Sequence, residues 1–201
     1  MSSFEVLAVA VSFGGIWLTA RRWLLCWPVN LLACGLYFKI FLDVRLYADM
    51  VLQALFGIAL LYGWYEWRRG KEISGDVAVE PLPTRPAVVA LATGAGGAVA
   101  IGWITSRYTD AALPWMDALL SSFSLVAQYW TARRHAASWL LWIVVDTLYV
   151  GMFAIKGLWP TAGLYAAMTM LAVVGYRRWR EQRNAPALQK VESTTGAPHS
   201  R

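Results

Sequence analysis

One acidic residue interrupts one of the most apolar stretches of the chain. Residues 139–153, WLLWIVVDTLYVGMF, are apolar except for Asp146 and Thr147. An ionisable group near the middle of a segment long enough to cross a bilayer is a functional-site candidate. On a helix of 3.6 residues per turn, the acid and four aromatic residues fall within one arc of about 80°: Trp139, Trp142, Asp146, Tyr149 and Phe153. The pattern predicts an aromatic helix face around one carboxyl group.

A carboxylate among aromatic rings suits a cationic ring, because charge attraction and cation–π contact both strengthen when water is excluded. If the carboxyl group is uncharged, it donates a hydrogen bond instead. The alternative interpretation is an interfacial aromatic belt whose acid pairs with a neighbouring helix. Aromatic belts collect at helix ends, however, and this arc runs through the middle of the segment.

Polar and aromatic residues in the other hydrophobic segments extend the candidate site. Amides and hydroxyls can hydrogen-bond the hydroxyls of a solute, and indole or phenol rings can stack on a flat heterocycle. Each amide taken singly could equally join two helices. Together these residues favour a small, flat, hydroxyl-bearing solute: Asn30, Gln53, Gln128 and Thr147, with Trp27, Tyr37, Tyr62 and Trp130.

The sequence offers little for catalysis or metal binding. His135 lies in a basic loop and His199 in the polar tail, and the chain has no HxxxH, GxSxG, phosphate loop or metal-ligand cluster. Cys26 and Cys34 lie eight residues apart in one hydrophobic stretch and read as inert small side chains. We therefore expect neither an enzyme nor a cofactor or metal site.

The composition is that of a polytopic membrane protein. Of 201 residues, 58% are hydrophobic and 15% charged, and the mean hydropathy is +0.46. The net charge of +6 does not indicate nucleic-acid binding, because the Lys and Arg residues cluster between hydrophobic segments and accompany no DNA- or RNA-binding motif. The first segment, MSSFEV, lacks the positive region of a cleavable signal peptide and is expected to be retained as part of a span.

Hydropathy predicts seven membrane-spanning helices in one transmembrane domain, residues 1–183, followed by a disordered tail, residues 184–201. With the N-terminus outside, the inside segments hold fourteen of the 18 Lys and Arg residues, so the positive-inside rule predicts N-out and C-in. The predicted spans are residues 4–20, 24–42, 46–65, 87–105, 112–131, 137–155 and 160–176.

The chain contains an internal repeat at a shift of 112 residues. The shift aligns the two TARR sequences at 19–22 and 131–134, and further pairs in the same frame. Each repeat, at about 4–67 and 112–179, holds three spans. Because an odd number of spans reverses the orientation of the chain, the linker helix at about 87–105 restores it, and the two repeats run parallel. The predicted fold is an all-α integral membrane protein of 3+1+3 helices. The other aligned pairs are Trp27 with Trp139, Leu36-Tyr37 with Leu148-Tyr149, Phe41 with Phe153, Gly63 with Gly175 and Trp67-Arg68 with Trp179-Arg180.

Several motifs in this order resemble the PnuC family of bacterial vitamin transporters, best known for nicotinamide riboside: CWPV (26–29), LYADMVLQ (46–53), YGWYEW (62–67), SWLLWIVVD (138–146) and VGYRRW (174–179). The resemblance covers residues 5–180. It implies a fold related to that of the SWEET sugar transporters. It further implies that the protein forms a homotrimer, as members of the family commonly do, and lies in the lipid of the bacterial inner membrane. It also implies facilitated diffusion of a vitamin that is trapped by phosphorylation once inside.

The same motifs imply which residues line the substrate site: Gln53, Tyr62, Trp64, Gln128, Trp139, Trp142 and Asp146, to which the aromatic face adds Tyr149. The family often has an asparagine where this chain has Ala33, and Asn30, one helical turn earlier, is the candidate replacement. Nicotinamide riboside, a cationic pyridinium ring on a ribose, fits these groups, and thiamine fits nearly as well. Riboflavin is larger and neutral and leaves Asp146 less explained. The rival from another class is a non-transporting membrane scaffold or sensor.

Overall fold

The apolar segments form seven helices in the part of the chain that the structure describes. This computed structural model describes residues 3–43, 47–74, 77–109, 113–155, 157 and 159–195. The helices are α1 (Ser3–Ala20), α2 (Cys26–Asp43), α3 (Tyr47–Ser74), α4 (Thr84–Tyr108), α5 (Pro114–Ala132), α6 (Ala137–Ile155) and α7 (Trp159–Thr195). Over these ranges there is no β-sheet, only one isolated bridge between Glu80 and His135. The all-α fold with seven helices predicted from hydropathy is therefore confirmed.

Two helices extend well beyond the predicted spans. The predicted span at 46–65 continues as α3 to Ser74, and the one at 160–176 continues as α7 to Thr195. The difference arises because hydropathy marks where a segment leaves the bilayer, whereas Arg, Lys, Glu and Gln continue a helix readily in water. Residues 184–195, predicted to be disordered, are thus helical. Residues 196–201, and the predicted span starts at residues 46 and 112, lie outside the described residues.

Two of the described helices, α4 and α6, are long and apolar enough on length and composition alone to cross a membrane. Shorter apolar stretches cover Val6–Ala20 and Cys26–Ile40. Length and hydropathy alone therefore identify fewer spans among the described helices than the seven predicted, because polar and aromatic residues lower the mean hydropathy of the other helices.

Apart from α4, the helices pack in two consecutive groups of three, each called a bundle below. In the first bundle α2 contacts α1 and α3, and in the second bundle α6 contacts α5 and α7. The bundles meet at two seams, α3 with α5 and α1 with α7. Helix α4 packs on α5 through small residues. Gly94 leaves room for Val126, and Ser122 Oγ donates a 2.7 Å hydrogen bond to the Gly94 carbonyl, the close approach that small residues allow.

Contacts in the first bundle recur in the second at the 112-residue shift. The rings of Trp27 and Trp67 pack edge to face at 5.1 Å and 85°, and those of Trp139 and Trp179 at 5.6 Å and 84°. Trp27 lies against Gly63 and Trp139 against Gly175. In the two TARR loops, the final arginines Arg22 and Arg134 both have positive φ, 57° and 62°. Equivalent sequence positions thus have equivalent local structure.

The connection between α3 and α4 is fastened to both bundles at the end of the molecule that carries the TARR loops, here called the TARR end. From the first bundle, the Arg22 guanidinium donates to the Val77 carbonyl. From the second, Arg134 forms an ion pair with Glu80, and the Glu80 amide donates to the Arg134 carbonyl at 3.0 Å. Val77 itself is buried in the core that the tryptophans form. The connection therefore closes this end of the bundle pair.

His135 makes the closure of the TARR end sensitive to acid. Its buried ring lies 3.2 Å through Nδ1 from the Glu80 carbonyl, and burial lowers its pKa, with Arg133 and Arg134 adding to the effect. The folded state therefore resists protonation of His135, whereas an unfolded histidine takes up a proton near pH 6.5. Stability is fully present above that pH and falls as the pH drops towards the lowered folded pKa. We expect the Tm of purified protein to fall between pH 7.5 and 5.5.

His135→Gln should flatten this pH dependence, because glutamine can still donate to the Glu80 carbonyl but does not titrate. Thermal unfolding of both proteins in one detergent across this pH range checks the prediction. Equal slopes of Tm against pH in the two proteins would contradict it.

Candidate functional site

A cavity of about 590 Å³ lies between the two bundles, and all six of their helices contribute to its lining. This volume is within the range of small-molecule sites. Of the residues that the sequence offers as site candidates, Thr147 and Trp130 do not line the cavity, whereas ten others do: Trp27, Asn30, Tyr37, Gln53, Gln128, Trp139, Trp142, Asp146, Tyr149 and Phe153. Residues from distant parts of the sequence therefore converge on one space.

Tyr62 and Trp64, also predicted as site residues, lie outside this cavity. Tyr62 is 37% exposed at the α3–α5 seam and stacks on Tyr129, with ring centroids 6.3 Å apart. Trp64 packs against the buried tryptophan core near the TARR end. The α3 residues that do line the cavity, among them Gln53 and Phe56, lie nearer the start of the helix. Two residues of the YGWYEW motif therefore lie outside the cavity lining, Tyr62 at the α3–α5 seam and Trp64 against the buried tryptophans.

Asp146 presents its carboxyl group to the cavity. Its side chain is 6% exposed, and it has no hydrogen bond or ion pair with any residue that the structure describes. A charged or polar group buried without a partner is costly. The geometry thus leaves this carboxyl group available to a ligand, rather than paired with a neighbouring helix.

Two tryptophans form the floor of the cavity at the TARR end. Trp27 and Trp139 line it, and behind them lie Trp67 and Trp179, whose rings meet at 5.8 Å. All four side chains are buried, and the Trp67 indole donates to the Thr131 carbonyl at 3.2 Å. This floor separates the cavity from the fastened connection beneath it.

An aromatic wall lies beside Asp146. Tyr149 stacks on Tyr165 at 4.6 Å and 28°, and Phe153 stacks on Tyr165 at 5.3 Å and 21°. Ser121 and Ser124 also line the cavity, and the Ser124 hydroxyl donates to the Leu120 carbonyl at 2.8 Å. These near-parallel rings give one side of the cavity a flat apolar face that matches a flat ring in a ligand.

Equivalent positions of the two bundles hold equivalent hydrogen bonds with different donors. In the first bundle Asn30 Nδ2 donates to Thr19 Oγ1 at 3.2 Å. In the second, Trp142 Nε1 donates to Thr131 Oγ1 at 3.3 Å. Asn30 and Trp142 correspond at the 112-residue shift, as do the two threonines. The cavity therefore has an amide on one wall where it has an indole on the other.

Cys34, the counterpart of Asp146, contributes to the site instead of merely filling space. Its Sγ lies 2.9 Å from the main-chain oxygen of Gln53 and 3.1 Å from the side-chain Oε1. A thiol donor at Oε1 orients the amide. Gln128, on the second bundle, has no hydrogen bond to any described residue and is free to bind a ligand.

Sequence reasoning missed several lining residues, among them Tyr165, Thr131 and Ser124. The repeat carried a signal for one of them. Tyr165 is the counterpart of Gln53, a predicted site residue, so mapping each candidate onto the other repeat finds it. Ser124 and Thr131 correspond to Ser12 and Thr19, which also line the cavity but were not predicted.

The sequence model of the family described as nicotinamide mononucleotide transporter matches residues 2–181, which include every residue that lines the cavity. The chain belongs to this family. The expected membership in the PnuC family is therefore confirmed, and the chain is a membrane protein of a transporter family.

Two similar relatives carry different vitamin names. The nicotinamide riboside transporter PnuC of Escherichia coli (strain K12) is 27% identical over 178 residues, which cover 75% of this chain and 73% of the relative. The riboflavin/roseoflavin transporter RibM of Streptomyces davaonensis is 31% identical over 162 residues, covering 79% and 76%. The chain is thus similar both to a protein named for a cationic vitamin and to one named for a neutral vitamin.

The fold is also that of a solved member of the family. The crystal structure of the vitamin B3 transporter PnuC superposes with a TM-score of 0.71 at 22% identity, over 90% of this chain and 82% of that one. At this identity the likeness establishes the arrangement of helices.

Proposed function

We propose that this protein carries nicotinamide riboside across the bacterial inner membrane by facilitated diffusion. The observation that carries the proposal is the unpartnered carboxyl group of Asp146 inside an aromatic cavity. The pyridinium ring would lie against the aromatic wall with its charge near Asp146. The ribose hydroxyls would bind the amides of Gln53 and Gln128. The relatives named for nicotinamide riboside support this assignment.

Transport would proceed by rocking of the two bundles around the cavity, which is the usual mechanism of repeat-built carriers. The contacts that recur at the 112-residue shift support a 3+1+3 arrangement of parallel repeats. The tryptophan floor and the α3–α4 connection would have to part for the TARR end to open. Phosphorylation of the vitamin inside the cell would lower the concentration of the free vitamin there, so that net diffusion stays inward.

The orientation and assembly remain predictions of this proposal. The charge distribution favours an N-terminus outside and a TARR end in the cytoplasm, and a C-terminal reporter fusion found outside the cell would contradict that orientation. The family resemblance implies a homotrimer, which the mass of the detergent-solubilised protein would test.

Riboflavin is the second candidate substrate, because the relative named for riboflavin has the higher identity, 31%. Its neutral ring system could stack on the aromatic wall, but it would make no use of the charge on Asp146. Thiamine, a cation, would use the same groups as nicotinamide riboside. If the substrate binds equally well to a variant that lacks the Asp146 carboxylate, riboflavin is favoured over the two cationic vitamins.

A binding screen of the purified protein, followed by counterflow in liposomes, tests the proposal. We expect nicotinamide riboside to bind and to exchange across the liposome membrane, and exchange to persist when proton and sodium gradients are collapsed. Binding and counterflow of riboflavin alone would shift the assignment to that vitamin. Absence of both activities for every vitamin and nucleoside tested would favour a scaffold or sensor.

A further inference from the structure

The two seams between the bundles differ in a way that points to a lipid site. The α3–α5 seam, here called the closed seam, and the α1–α7 seam, here called the open seam, correspond at the 112-residue shift. At the closed seam, Tyr62 stacks on Tyr129, and Arg133 Nη1 lies 3.4 Å from Glu66 Oε2. A ring pair and an ion pair thus fill this seam.

The corresponding positions of the open seam cannot make either contact. The counterparts of Tyr129 and Tyr62 are Trp17 and Val174, which leave a groove of about 530 Å³ with an apolar lining. Gly14 also lines the groove, and a Cβ built on it would meet nothing within 4 Å, so a larger side chain has room there. The remaining lining residues are also apolar: Phe13, Ala167, Met170 and Leu171.

At the positions where the closed seam has one arginine and one glutamate, the open seam has two arginines. The counterpart of Arg133 is Arg21, but the counterpart of Glu66 is Arg178. Each arginine follows a groove residue by one helical turn, Arg21 after Trp17 and Arg178 after Val174, so both lie at the TARR end of the groove. Arg21 is held there by stacking on Trp17, 3.8 Å from the ring centroid. Neither arginine has an ion pair with a described residue.

We propose that the open seam binds one anionic phospholipid. An acyl chain occupies the apolar groove, and the headgroup phosphate takes the place that Glu66 has in the closed seam, between Arg21 and Arg178. The charge complementarity selects an anionic lipid over a zwitterionic one, because two arginines face a single phosphate without a balancing acid. Since this seam joins the two bundles, the bound lipid stabilises their contact.

The test uses the full-length protein in detergent, with dioleoylphosphatidylglycerol and dioleoylphosphatidylcholine added in parallel. Native mass spectrometry counts retained lipids, and thermal unfolding measures their stabilisation. We expect phosphatidylglycerol to be retained and to raise the Tm more than phosphatidylcholine does. Arg178→Glu copies the ion pair of the closed seam, so it should keep the protein folded yet weaken phosphatidylglycerol binding about fivefold or more.

Arg180→Glu is the matched control, because it makes the same charge change on the same helix but two residues away, off the groove. It should bind phosphatidylglycerol like the native protein. Gly14→Leu, which fills the groove without changing charge, should also reduce retention. Equal binding of the two lipids, or equal behaviour of Arg178→Glu and Arg180→Glu, would overturn the proposal. So would loss of oligomers in Gly14→Leu with unchanged lipid retention, since a second copy of the chain would then occupy the groove.

Discussion

Asp146→Asn should weaken binding of nicotinamide riboside by about 100-fold, close to 2.7 kcal/mol, the scale expected when one partner of a buried charge pair is lost. The side chain keeps its shape, but one carboxylate oxygen becomes an NH2 donor, so comparison with an uncharged ligand isolates the effect of the charge. Because Asp146 has no partner among the described residues, no other group there compensates for its removal. Titration calorimetry on purified protein measures the effect.

A neutral analogue with a reduced, uncharged pyridine ring separates charge from packing. We expect Asp146→Asn to change its affinity by no more than about threefold, since a neutral ring gains little from a carboxylate. Asp117→Asn is the matched control, as Asp117 also lines the cavity but is exposed in the first turn of α5. Its effect should be small because water screens it. Equal losses for the charged and neutral ligands would contradict the charge-based recognition.

Gly63→Ala should destabilise the protein by about 2 kcal/mol, as expected when a close-packed site is overfilled. The added Cβ would lie 2.1 Å from Cη2 of Trp27, and this ring has Trp67 packed against it. For a chain of this length the Tm should fall by about 4–8 °C. Displacing Trp27 also disturbs the cavity floor, so substrate affinity should fall with stability.

The same reasoning applies to the corresponding glycine of the second bundle. In Gly175→Ala the Cβ would lie 2.7 Å from Trp139, so destabilisation should be similar in kind. Gly151→Ala is the matched control, since nothing lies within 4 Å of its Cβ and alanine favours the helix by roughly 0.5–1 kcal/mol. Thermal unfolding in one detergent compares the three variants. A Tm for Gly63→Ala at or above that of Gly151→Ala would contradict the prediction, because Trp27 would then have moved to accept the added Cβ at little cost.

The site is asymmetric although the two bundles are related. At one pair of equivalent positions an acid, Asp146, corresponds to a thiol, Cys34, and at another an indole, Trp142, corresponds to an amide, Asn30. A symmetric pair of acids that passes protons is thus absent from the described cavity. One charged wall and one uncharged wall suit a ligand with a charged ring and a neutral polar remainder.

The sequence by itself identified the class of protein, the seven described helices and ten of the residues that line the candidate cavity. Hydropathy placed α1 and α6 within a residue of their ends, because burial in lipid requires about 20 apolar residues. The aromatic arc around Asp146 placed Trp139, Trp142 and Tyr149 on one face, because helical periodicity fixes which side chains share a side. The 112-residue repeat also identified the tryptophan and glycine pairs that pack together.

Only the tertiary structure decided which faces meet. Helical periodicity fixes a direction around one helix but not the depth or the neighbour, so Tyr62 and Trp64 could not be separated from Gln53 before α3 was packed. Tyr165 and Thr131 enter the cavity because α7 and α5 turn these residues inward. The unequal seams likewise depend on which bundle surfaces come together. Packing depends on the complementarity of whole surfaces, which no single segment of the sequence contains.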